Sequence, residues 1–120
     1  MGTCLTGYLE ICLDHLLEPW VHIATFEFFK DYELMRALRN AKGRHQGCPH
    51  DTGVWIHNHG RLTDDSSYCD SVYWFSGEDF ATVTLDLDEM TAQHVALCSL
   101  APLLSSLPRV KGVRITFTEA

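Results

Sequence analysis

The sequence predicts an α+β fold: a mainly antiparallel sheet of about four strands, with two main helices on one face and an irregular middle section. Three observations lead there. Segments with period-two alternation stand near both ends of the chain. Two segments with helical spacing, 32–41 and 88–101, lie between them. The stretch separating those helices is polar and rich in Gly, His, Asp and Ser. No internal repeat, low-complexity tract or Pro/Gly/Ser linker interrupts the chain, so residues 1–120 read as a single domain.

Residues 7–13 alternate, with Tyr8, Glu10 and Cys12 on one face and Leu9, Ile11 and Leu13 on the other. Residues 20–28 are rich in β-branched and aromatic side chains and form the antiparallel partner. Asp31 then caps a helix over 32–41, in which Leu34, Met35 and Leu38 make the apolar stripe and Arg36 and Arg39 share the solvent side. Gly43 ends it. Within the middle section, 54–57 reads as a short strand and 71–75 as extended chain. Ser76 caps a turn of helix over 77–81, while 81–87 alternates and competes as a strand. The helix at 88–101 buries Met90, Val95, Leu97, Cys98 and Ala101. Pro102 starts a further turn in which Leu103, Leu104 and Leu107 pack. A last strand covers 110–118, with Val113, Ile115 and Phe117 on one face.

Hydrophobic residues make up 46% of the 120 and charged residues 21%, which suits a globular domain with a core of its own. No apolar run is long enough to span a membrane. The net charge of −7 repels duplex nucleic acid at long range. Yet six of the nine basic residues (Lys30, Arg36, Arg39, Lys42, Arg44 and Arg61) cluster in one half of the chain, enough for a local positive surface. The five cysteines are odd in number and irregularly spaced, and no secretory leader pattern opens the sequence, so the expected setting is cytoplasmic with reduced thiols. The opening Met1-Gly2-Thr3-Cys4-Leu5-Thr6 fits the short myristoylation pattern, though an ordinary start or a cloning remnant explains it as well.

Several segments together resemble a family of small uncharacterised proteins of tailed phages and their bacterial hosts. They are Lys30-Asp31-Tyr32 with Leu34 and Leu38, Leu62 to Ser67, Ser71 and Trp74 with Ser76, Asp79 and Phe80, and the Val113-Arg114-Ile115-Thr116-Phe117 ending. The resemblance implies the same fold class and a phage-encoded protein in the host cytosol. It implies no activity, and Asp70 stands where such proteins commonly carry a histidine.

Catalytic signatures are missing. There is no Gly-x-Ser-x-Gly elbow, no phosphate-binding Gly loop and no cysteine in a nucleophile context. His57-Asn58-His59 spells a nuclease motif, but in such nucleases the three residues are dispersed over a ββα unit, whereas here they are adjacent and alternate side chains of a strand point to opposite faces. His45, Cys48, His50, His57, His59 and Cys69 are zinc-type ligands without the paired Cys-x2-Cys knuckles that mark a structural zinc site, so the reading is no cofactor, with zinc as the competing one.

The remaining signal is aromatic rings beside positive charge. Tyr32, Tyr73 and Trp74, with Trp55 and Tyr68, accompany Arg36, Arg39 and Arg44, while Asp65 and Ser71 add polar groups. Rings stack bases and guanidinium groups grip phosphate, so these residues make a candidate receptor for a small anionic ligand of nucleotide type. The expected function is a non-enzymatic binding module, phage-encoded and acting in counter-defence by sequestering a nucleotide immune signal. Burying such a ligand favours a homo-oligomer. Two readings compete: inhibition of a host protein through the acidic surface, and a nucleotide-processing enzyme.

Overall fold

The computed structural model describes residues 4–14, 20–29, 31–46, 72–84, 87 and 91–119. Its strands are β1 (Cys4–Leu13), β2 (Trp20–Phe29), β3 (His45–Gln46), β4 (Val72–Ser76) and β5 (Val110–Glu119). They form one antiparallel sheet in the order β2-β1-β5-β4-β3. The helices are α1 (Tyr32–Arg39), α2 (Gly77–Thr84) and α3 (Ala92–Ser105). The α+β architecture expected from the sequence is therefore present, with the two-residue β3 added at one sheet edge.

Register decides which side chains meet. Ile11 pairs with Val113, Leu9 with Ile115 and Gly7 with Phe117. Phe117 and Ile115 pair in turn with Tyr73 and Phe75. Residues directly opposite share a face, so these make one apolar surface, and all three helices sit on it. Leu34, Met35 and Leu38 of α1, Phe80 of α2, and Leu97 and Ala101 of α3 complete the core. Four rings meet at its centre, with Phe117 between 5.6 and 6.1 Å from Phe80, Tyr73 and Phe75 by centroid. Gly7 is glycine for want of space: a Cβ there would fall 2.9 Å from Cε1 of Phe117.

Each helix starts on a side-chain oxygen. Asp31 accepts from the Leu34 N–H, Ser76 from Asp79, and Thr91 from His94. The cap explains one departure from the sequence reading: the last helix starts after Thr91, later than position 88, and continues through Pro102 to Ser105. That phase buries His94 with Leu97 and Ala101, and leaves Val95, Leu103 and Leu107 between 48 and 64% exposed. Leu104 and Cys98 pack against the core as expected. Helix also wins over strand after position 81. Thr82 and Thr84 turn their hydroxyls back to the Glu78 and Ala81 carbonyls, which accommodates β-branched residues in α2 as far as Thr84. The strand expected at 54–57, and Met90, lie outside the described residues.

Candidate functional site

Apart from Tyr32, which stands alone at the start of α1, the candidate residues separate into three places, and a fourth group lies outside the described residues. Asp65 and Ser71 belong to that fourth group, as do Trp55, Arg61, Tyr68, Cys48, His50, His57, His59 and Cys69.

The first place is the end of the sheet where β5, β4 and α1 converge. The Tyr73 hydroxyl donates to Oε2 of Glu119 at 2.5 Å, and Arg39 donates to the same carboxylate through Nε at 2.9 Å and through a second nitrogen. Arg44 lies over the Tyr73 ring, 5.6 Å from its centroid. Burial, followed by the bond to Glu119, pushes the Tyr73 phenol well above its usual range. The bond to Glu119 likewise holds Arg39 more firmly in its charged form. Three nominated residues do meet here, but Glu119 already occupies the guanidinium of Arg39. The Glu119 side chain is only 7% exposed, against 49% for Arg39, so the group closes the molecule rather than opening a receptor.

The second place is the sheet face opposite the helices. Glu10 pairs in register with His22 on β2 and with Arg114 on β5, which itself pairs with Ser76 on β4. This gives a polar row across four strands. Arg114 Nε donates to Glu10 Oε1 at 3.0 Å, and its guanidinium sits 3.7 Å from the Trp20 ring centroid and 5.8 Å from that of Trp74. Both charged side chains are essentially buried. Trp74 stacks on His45, centroids 4.0 Å apart. Burial lowers the His22 pKa, against the opposing pull of Glu10 and the Ala24 backbone. A ring beside a guanidinium is what the sequence pattern anticipated, but Arg114 supplies the charge and Trp20 the nearest ring. Neither could be nominated without the register that places them together. Each ring also has a partner on it already.

The third place is a cleft between α1 and α2 of about 580 Å³. Its walls carry Glu33 and Arg36 from α1, Asn40, Lys42 and Gly43 from the cap and turn after it, and Asp79 and Thr82 from α2; Ala37, Ala41, Val83 and Leu87 make the apolar floor. Arg36 and Lys42 are exposed, and among the described residues neither side chain has an ion-pair partner. Arg36 and Arg39 share one side of α1 by spacing, but their partners differ: Arg36 lines the cleft toward α2, while Arg39 reaches Glu119 on β5. Tyr32, 51% exposed at the start of α1, does not line the cleft. The sequence marks Gly43 only as a helix end and Asp79 only within a resembling segment; the packing of the turn against α2 is what brings them together at the cleft.

Among the described residues no three His, Cys, Asp or Glu side chains are grouped to hold a metal ion, and no helix is long and apolar enough to cross a membrane. No family model matches the chain, and neither a curated protein nor a solved structure does.

Proposed function

We propose that the protein is a non-enzymatic binding module that captures a small anionic ligand, of the nucleotide or sugar-phosphate class, in the α1–α2 cleft. One observation carries this reading: Arg36 and Lys42, two cations without ion-pair partners among the described residues, line a cavity of small-molecule size. The walls also carry Glu33 and Asp79, so the attraction is local to the two cations, which can grip an anionic group directly while the rest of the ligand meets the acids. The alanine, valine and leucine floor suits the less polar body of such a ligand. We place the protein in the cytosol as a phage-encoded counter-defence factor, on the strength of the segmental resemblance. Capture needs no chemistry, only a stoichiometric protein with sufficient affinity. A homo-oligomer belongs to the same proposal.

Native mass spectrometry of the protein purified from expressing cells tests it. The expected spectrum shows a small-molecule adduct that denaturation releases chemically unchanged, together with the subunit count. A chemically altered nucleotide supports an enzyme instead. A host protein released by salt supports inhibition through the acidic surface.

A further inference from the structure

We infer that the cleft reads the sugar-phosphate half of its ligand, with Asp79 accepting hydrogen bonds from ligand hydroxyls while Arg36 and Lys42 hold the phosphate. This rests on the proposed capture function and adds the recognition chemistry. The lining is electrically mixed, with Arg36 and Lys42 facing a cavity that also holds the Glu33 and Asp79 carboxylates and the Thr82 hydroxyl; of the two acids, Asp79 is the one the packing fixes in place. A bare anion would gain from the cations and be repelled by the carboxylate. A ligand with an anion at one end and hydroxyl donors at the other satisfies both, because a carboxylate only accepts hydrogen bonds. Among the described residues that line the cleft, the groups facing a ligand are charged, hydroxyl, amide and aliphatic rather than aromatic, which suits a sugar phosphate.

The position of Asp79 is fixed from both sides. Its backbone N–H donates to the Ser76 cap at 3.2 Å. Its carboxyl lies against the backbone of Gly43: a Cβ built there would fall 2.7 Å from Cγ and 2.8 Å from Oδ2 of Asp79. Glycine at 43 is thus what lets the carboxylate lie beside the turn at the cleft wall. Gly43→Ala displaces the acid without changing any charge, and Asp79→Asn changes the charge with little displacement.

The test titrates ribose 5-phosphate and phenyl phosphate, the second an equal anion without hydroxyls, into the wild type and both variants by NMR, with circular dichroism as the folding check. Ribose 5-phosphate is expected to bind the wild type more tightly. Each variant is expected to weaken ribose 5-phosphate about tenfold, the loss of one hydrogen bond to a charged group, and to leave phenyl phosphate as tight or tighter. Equal affinity of the two probes for the wild type, or equal weakening of both by the variants, overturns the role of Asp79 while leaving anion capture standing. If neither probe binds, or if both bind undiminished to the Arg36→Ala/Lys42→Ala variant, the capture reading falls and this inference with it.

Discussion

The guanidinium of Arg114 lies 3.7 Å from the centre of the Trp20 ring while its Nε donates to Glu10, so a buried ion pair on the face opposite the helices is capped by an indole. Trp20 also reaches Gly112, where an added Cβ would meet its Cη2 at 3.6 Å. The ring thus crosses from β2 over β1 to β5. Arg114→Ala strands the Glu10 carboxylate among buried neighbours and is expected to cost about 3–5 kcal/mol in urea denaturation. The double variant Glu10→Leu/Arg114→Leu removes both charges and is expected to recover most of that loss. Additive losses would show that the two residues are not coupled.

His94 is fully buried against Phe80, and among the described residues neither of its ring nitrogens has a hydrogen-bond partner. Burial lowers its pKa below the ordinary 6.5, only partly opposed by the charge of Asp31. In the unfolded chain the ring takes a proton near its ordinary pKa, whereas the folded ring resists. The unfolded state therefore binds more protons below that pH, and stability falls as the solution is acidified through it. His94→Leu removes both the titration and the unpartnered nitrogens. It is expected to raise stability by about 1 kcal/mol at neutral pH and by more at lower pH. Melting curves from pH 5 to 8 check this (the pH range that brackets an ordinary histidine); parallel curves for the two proteins would contradict it.

At Gly7 an added methyl meets the edge of Phe117, and that ring cannot yield because Tyr73, Phe75 and Phe80 surround it. Gly7→Ala is expected to destabilise by about 1–3 kcal/mol, the usual cost of overfilling a packed core. Denaturant unfolding measures it, and an unchanged midpoint would mean that the ring moves freely.

Arg39 and Arg36 lie three residues apart on α1 and differ in what they have left to offer. Because Arg39 itself is half-exposed and Tyr73 still donates to Glu119 without it, Arg39→Ala is expected to cost no more than about 1 kcal/mol of stability. It is also expected to leave binding of ribose 5-phosphate unchanged. Trp74→Ala is expected to spare binding too, since that ring stacks on His45 away from the cleft. Loss of binding in either variant, measured by NMR titration, would move the site to the sheet.

The fold was legible in the sequence where periodicity was strong. Period-two alternation in β1 and β5, and the Leu34, Met35, Leu38 stripe with its Asp31 cap, identify elements that tertiary packing had no reason to override. Alternation misled at Thr82 to Thr84, where hydroxyl back-bonding makes threonine tolerable in a helix. The phase of α3 misled because several apolar stripes fit the same leucines, and the choice fell to a cap and a buried histidine. At the site, residue types were legible and partners were not. Arg36 and Arg39 look alike in sequence, and only register and packing assign Glu119 to one and the cleft to the other. The Gly43–Asp79 contact joins positions far apart along the chain, which no local pattern encodes.

The most direct test is isothermal titration of ribose 5-phosphate into the wild type, Arg39→Ala and Arg36→Ala/Lys42→Ala proteins. The wild type and Arg39→Ala are expected to bind alike, and the double variant to lose at least about tenfold in affinity, the loss of charge-assisted contacts to the phosphate. Equal binding by all three proteins would contradict the assignment of the cleft.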